Sequence, residues 1–272
     1  MTSAADQISA APASPALLRA EGLHKSFGGV HAVRDVSFAV PAGAIFAVIG
    51  PNGAGKSTLL NLLSGLYRPD AGALTFDGID LAALPAHRRV RHGIARTFQK
   101  IRLFKQVSAL DNVVAGFHIR SRVPAWQYVV HAGAFKRNHA QSRAEAARLL
   151  RFMGLERRAN DLAGALSYGE QRMLEIARAL ATAPRLIMVD EPAAGLNPAE
   201  VELLLDRLQT LRRDGLTILL VEHNMDLVMQ LADRVLVIDY GQVLFEGRPA
   251  EVQTHAGVIA AYLGAEPPAE PP

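Results

Sequence analysis

Residues 50–57 read G-P-N-G-A-G-K-S, preceded by the apolar run A-I-F-A-V-I and followed by T-L-L-N-L-L. The setting is a strand, a glycine-rich loop and a helix start, and the loop matches G-x-x-x-x-G-K-[ST] without departure. Each residue type has a physical reason to stand there. Gly53 and Gly55 let the backbone curl so that successive N–H groups and the positive end of a helix face one anion. Lys56 adds a point charge toward outer phosphates, and Ser57 offers a hydroxyl to Mg²⁺. A plain glycine-rich turn is the competing reading, and the strand–loop–helix context disfavours it. The stretch predicts a site for a nucleoside triphosphate on an α/β core.

Working outward, short apolar runs alternate with helical patterns, which argues α/β. Residues 17–48 read as successive strands with Gly/Pro turns, followed by a helix over 56–67 and a strand at 74–78. L-I-M-V-D (186–190), T-I-L-L-V (217–221) and R-V-L-V-I-D (234–239) have the near-continuous apolar character of buried parallel strands. Between them, from about 108 to 166, the pattern is mostly helical. We expect a core built from 17–98 and 184–264 with a helical lobe at about 100–183 inserted in its middle.

Two strand ends carry candidate chemistry. Asp190 closes one strand, placed to hold the Mg²⁺ shell, and Glu191 beside it is able to polarise an attacking water. Acids after a strand are often plain loop solvation, and pairing with the phosphate loop gives these two their weight. His223 ends a similar strand, where a lone histidine is more often structural than catalytic.

A second helix start lies at L-S-Y-G-E-Q (166–171), where Ser167 and Glu170 have capping-box spacing ahead of a periodic apolar run. One nucleotide needs only one phosphate-binding helix start, so the glycine-containing second one calls for a reason.

Composition narrows the class. The chain has 272 residues, 50% hydrophobic, enough for a sizeable core. With no cysteine, disulfides and thiolate metal sites are excluded. Lys+Arg 29 against Asp+Glu 26 leaves net +3, too small an excess to argue for nucleic acid. The apolar runs are too short to cross a bilayer. Residues 1–16 and the Pro-rich 265–272 read as disordered tails, the first lacking the basic and apolar segments of a signal peptide.

G-P-N-G-A-G-K-S-T, R-T-F-Q (96–99), L-S-Y-G-E-Q, V-D-E-P (189–192) and V-E-H (221–223), in that order, make the chain resemble the ATP-binding cassette ATPases over about 17–264. The resemblance implies a P-loop core with an N-terminal antiparallel β subdomain and an inserted helical subdomain. It also implies roles. Phe27 stacks on adenine; Asn52, Gly53, Gly55, Lys56, Ser57 and Thr58 hold the phosphates of ATP. Ser57, Gln99 and Asp190 serve Mg²⁺, with Gln99 sensing the γ-phosphate. Glu191 is the catalytic base and His223 clamps the γ-phosphate. Such ATPases pair head to tail, so Ser167, Gly169 and Glu170 face a nucleotide held mainly by a partner chain. Asn197 stands where the family usually has Asp.

Further stretches, including I-A-R-T-F-Q-K-I-R-L-F, Tyr168 in the signature and the closing V-I-A-A-Y-L-G, resemble an ATP-binding subunit of branched-chain amino-acid importers. That implies transmembrane permease subunits, a second ATP-binding subunit, indirectly an extracytoplasmic solute-binding protein, and a place at the cytoplasmic face of the membrane. A lipid or lipopolysaccharide exporter ATPase, a soluble cassette acting on nucleic acid and a small-molecule kinase are the alternatives. Phe98, Leu103 and Phe104 are candidate permease contacts, with core packing as the other reading. The insert's Arg120, Arg122, Lys136, Arg137, Trp126 and Tyr128 are candidates for anionic lipid, with a solvated helical surface as the other reading. Attraction to a membrane surface would also suit the basic run at 88–92, which is assigned no specific role.

Overall fold

The computed structural model describes residues 16–119 and 132–263, with side chains from 139 to 262 in the second stretch. The expected tails and the insert residues Arg120, Arg122, Trp126, Tyr128, Lys136 and Arg137 therefore lie outside the described residues or side chains.

Three strands open the chain: β1 (Ala16–Phe27), β2 (Val30–Pro41) and β3 (Ile45–Ile49). Helix α1 (Lys56–Ser64) follows, then β4 (Ala71–Phe76), β5 (Ile79–Asp80), α2 (Ala86–Arg91) and β6 (Ile94–Arg96). Helices α3 (Ala109–His118), α4 (Ala132–Phe152) and α5 (Tyr168–Leu180) pack on one another. The α/β alternation then returns with β7 (Leu186–Asp190), α6 (Pro198–Arg213), β8 (Thr217–Val221), α7 (Met225–Leu231) and β9 (Arg234–Asp239). Strand β10 (Gln242–Gly247) and helices α8 (Pro249–Thr254) and α9 (Ala256–Leu263) close the described chain.

Two sheets form. One is antiparallel, in the order β2-β1-β4-β5; the other runs β10-β9-β3-β8-β7-β6 and is parallel except for β10. Strands β3, β7 and β8 are buried at every residue, yet the pleat still sorts their side chains. Phe46, Val48, Leu186, Met188, Leu219 and Val221 join the core shared with the antiparallel sheet and α1. Their neighbours Ile45, Ile187, Val189, Ile218 and Leu220 face the core under α3, α5 and α6. A strand buried on both faces needs apolar residues at every position, hence the runs in the sequence. Because β3, β6, β7 and β8 are parallel, their carboxyl ends open on one edge of the sheet, where α/β ligand sites form.

The helix expected over 56–67 stops at Ser64, because Gly65 turns into the left-handed region with φ 80°. The strand expected at 74–78 spans 71–76, and the short β6 was not foreseen. The basic run 88–92 is not wholly a surface feature. Arg89 is buried and donates to the Leu62, Leu63, Leu81 and Leu84 carbonyls, holding the far end of α1. Burial pulls its guanidinium down to about 10.

Candidate functional site

The 50–57 loop leaves β3 and enters α1 through three residues in the positive-φ region, Gly50 at 152°, Gly53 at 81° and Gly55 at 103°. At two of them space as well as φ requires glycine. A Cβ on Gly50 would lie 2.0 Å from the Ile238 carbonyl oxygen, and one on Gly55 2.4 Å from that of Ala32. Helix α1 has Gly55 as its N-cap, so no side chain caps it, and no acid stands in its first turn. Its leading N–H groups are thus left for an external anion. Lys56 is buried and its Nζ donates to the Gly50 and Pro51 carbonyls at 2.6 and 2.8 Å. Burial lowers its pKa, while Glu191 and Asp190 act the other way. Asn52, Gly53 and Ser57 are exposed on this loop and Thr58 is half-buried. An exposed cradle of N–H donors with one ammonium and one hydroxyl fits a polyphosphate.

The neighbouring strand ends bring the acids and amide to this edge. Asp190 is buried at the end of β7, and one carboxylate oxygen accepts from Arg96 Nη2 at 3.1 Å. Burial raises its pKa against the pull of Arg96. Arg96 also binds Asn61 Oδ1 and Ser64 Oγ of α1 at 2.6 and 2.9 Å, so β6, β7 and the phosphate-loop helix share one guanidinium. Glu191 takes the left-handed region, φ 44°, a strain typical of residues held for a purpose. Its Oε2 accepts from Gln99 Nε2 at 2.9 Å and its Oε1 lies 3.8 Å from His223 Nδ1. The structure therefore gathers Gln99, Glu191 and His223 into one cluster, and the electrostatic link from Lys56 to Glu191 and Asp190 ties that cluster to the phosphate loop.

Phe27 is exposed, with its ring edge-on to Tyr67 at 5.2 Å and Lys25 Nζ 5.4 Å from its centroid.

The second helix start is built elsewhere. Ser167 caps α5: its Oγ accepts from the Glu170 amide at 3.2 Å, and Glu170 accepts from the Ser167 amide at 2.8 Å. This is the capping box expected from the spacing. Glu170 also pairs with Arg158, 3.0 Å. Tyr168 stands against Gly195, and a Cβ on Gly169 would lie 2.1 Å from the Glu200 carboxylate. Each of these partners belongs to the 158–200 part of the chain, and none to the 50–57 loop.

Three supporting residues escaped the sequence reading although two sit inside quoted motifs. Arg96 of R-T-F-Q binds Asp190; the buried Glu222 of V-E-H accepts from the Ala193, His223 and Asn224 amides, positioning two loops. Glu175 accepts from the Phe98 and Arg102 amides. Asn197 caps α6 through a box with Glu200, both bonds at 3.0 Å, a pattern legible in N-P-A-E. Of the three candidate permease contacts, only Phe104 is exposed. Leu103 packs into the core, and Phe98 lies half-buried between the Arg96 and Arg102 guanidiniums, 5.1 and 4.5 Å from its ring centroid.

The family model described as "ABC transporter" matches residues 33–194. The chain belongs to the ABC transporter family of ATP-binding proteins. A second model, "Branched-chain amino acid ATP-binding cassette transporter", matches residues 242–267, covering β10 to α9. The chain is 41% identical to the high-affinity branched-chain amino acid transport ATP-binding protein BraF of Pseudomonas aeruginosa, over 91% of this chain and 98% of that protein. Among solved structures it resembles the ADP conformation of MJ1267, an ATP-binding cassette of an ABC transporter. There the TM-score is 0.78 at 31% identity, covering 92% of this chain and 99% of that one. It also resembles the dimeric, ADP- and Pi-bound ATP-binding cassette MJ0796, with TM-score 0.73 at 27% identity, over 85% and 98% of the two chains. This ABC ATP-binding subunit thus has its phosphate loop, acids and cap geometry on a shared cassette fold.

Proposed function

We propose that this subunit hydrolyses ATP to power an importer of branched-chain or related amino acids, and that its site is completed by a second ATP-binding subunit. The observation that carries the reading is the Gln99–Glu191 hydrogen bond of 2.9 Å, within the electrostatic reach of Lys56. When bound, ATP supplies the phosphoryl group and Mg²⁺ neutralises charge on it. Lys56 and the amides of 53–58 bind and orient the phosphates, with Asn52 and Thr58 flanking them. Ser57, Asp190 and Gln99 are assigned to Mg²⁺. Among the described residues no group of three or more His, Cys, Asp or Glu forms a metal cage. A two- or three-ligand set that leaves positions for water and phosphate oxygen is what Mg²⁺ prefers. Glu191 takes the proton of the attacking water, Gln99 fixes the carboxylate, and His223 holds the outer phosphate. Phe27 offers its exposed ring to the base.

Ser167, Gly169 and Glu170 are assigned to the partner's nucleotide, whether that partner is a second copy or a related subunit. None of the contacts they make within the chain is to its own 50–57 loop, and the dimeric cassette relative supports the pairing. The second family match and the BraF similarity support the importer over an exporter or a nucleic-acid-directed ATPase. We assign residues 17–98 and 184–264 to the nucleotide core and about 100–183 to the helical lobe. No described helix is long and apolar enough to cross a membrane, so the transport path belongs to permease subunits. A groove of about 290 Å³ between β6, α3 and α5, floored by Ala95 and Gly116 and rimmed by exposed Phe104 and Ile119, suits an apolar permease segment. Docking there places the subunit at the cytoplasmic face of the membrane, with a solute-binding protein acting on the far side.

The test is purification with its permeases and assay of ATP hydrolysis for wild type and Glu191→Gln. The reading expects turnover in wild type and ATP binding without turnover in the variant. Equal turnover in both would overturn the assignment of the base.

A further inference from the structure

The side chain of Arg172 on α5 is fully buried and donates both to the 98–99 strip and to side chains of its own helix. Nη1 reaches the Phe98 carbonyl at 2.8 Å and Glu175 Oε2 at 3.0 Å. Nη2 reaches the Gln99 carbonyl at 2.9 Å and the Tyr168 hydroxyl at 3.1 Å. Glu175, 2% exposed, returns to the same strip by accepting from the Phe98 and Arg102 amides at 3.4 and 3.2 Å. Two carbonyls and two amides around Gln99 are therefore bound to a single ion pair on α5.

The two ends of this arrangement matter separately. On one side, the Gln99 side chain is set against Glu191. On the other, Tyr168 is the residue next to Ser167 and stands against Gly195. A buried ion pair is not by default a stabiliser, since well-packed apolar residues of similar volume do as well. Its particular capacity is geometric: a rigid guanidinium fork fixes several acceptors at once, which a lysine ammonium cannot copy. Burial also pushes the Glu175 carboxyl up against the pull of the Arg102 amide and Arg172, so the pair is held by its partners and not by solvent.

We propose that Arg172 is a positioning residue. It keeps Gln99 beside Glu191 in the chain's own nucleotide site, in register with the Ser167–Glu170 helix start that the chain lends to its partner. The two half-sites on one chain are thereby mechanically one piece. This rests on the ATPase reading above.

The experiment compares wild type, Arg172→Lys and the double variant Arg172→Met/Glu175→Met in the full chain. The double variant removes both charges and leaves neither stranded. Three measurements are made: steady-state ATP hydrolysis, thermal unfolding, and amide hydrogen exchange of the nucleotide-free protein. The expected result is KM for ATP within about twofold of wild type and kcat lower by about ten- to a hundredfold, as small misplacements of reacting groups produce. The melting temperature stays within a few degrees, and Arg172→Lys falls between. Exchange at 98–102 and at 167–170 rises together. A purely structural role would lower the melting temperature without changing kcat per folded site. Wild-type kcat in the double variant, or loosening of one segment without the other, overturns the proposal. Absence of turnover in wild type would instead sink the ATPase reading, and the exchange result alone then decides on Arg172.

Discussion

Gln99 Nε2 donates to Glu191 Oε2 across 2.9 Å, joining residues 92 positions apart. One follows the short strand β6 and the other follows β7, and parallel pairing of those strands puts both at the same sheet edge. A carboxylate in the left-handed region, held by an amide donor and facing His223, has its orientation set before any ligand arrives.

That geometry predicts that Glu191→Gln lowers kcat by about 10² to 10⁴, the usual worth of a positioned general base. ATP affinity should stay within a few-fold, since the change keeps size and removes only a negative charge. Isothermal titration with ATP and a phosphate-release assay read the two quantities.

Lys56→Ala should act on binding itself. The lysine contributes charge-assisted hydrogen bonds worth about 1.5–3 kcal/mol each, so Kd for ATP should rise by about tenfold or more. An unchanged Kd by the same titration would remove Lys56 from the phosphate cradle.

Asn197 has a helix to hold in this chain. Asn197→Ala removes the α6 cap and should cost about 1 kcal/mol, while Asn197→Asp, an equally good cap, should leave stability unchanged. Urea unfolding distinguishes the two.

The capping box at 167–170 should be sensitive to acid. The Ser167 amide, then Arg158, hold the Glu170 carboxyl below the usual glutamate range. A lowered folded pKa means the stabilisation is present above the unfolded value, about 4.3, and is lost as pH falls through the lower folded value. Glu170→Ala should therefore cost about 1 kcal/mol at neutral pH, the larger part of it a cap and the smaller a screened ion pair. As pH falls through that lowered folded value, the variant and wild type should converge in urea unfolding.

The phosphate loop, the three long buried strands and the α5 cap were legible because each rests on short-range rules: loop glycines, two-faced burial and a four-residue box. The paired residues were not. Nothing local to R-T-F-Q says that Arg96 will meet Asp190 94 positions later, and Arg172 looks like one more polar residue on an amphipathic helix. The burial of Arg89 was hidden for the same reason: a basic run has no period that reveals one member turning inward to four carbonyls. Strand β6 escaped because its three residues carry no pattern of their own and exist through pairing with β7. Phe98 and Leu103 read as permease contacts on apolarity alone, whereas burial separated them from Phe104.

The central claim is that one nucleotide site is made from the Lys56 loop of one chain and the Ser167 helix start of another. It is tested most directly by mixing Lys56→Ala with Ser167→Arg and measuring ATP hydrolysis. Each variant alone has no complete site and should be inactive. An equimolar mixture should recover about a quarter of the wild-type rate, since half of the two-fold dimers are mixed and each holds one intact site of two. A mixture as inactive as its components, beside an active wild type, would contradict the account.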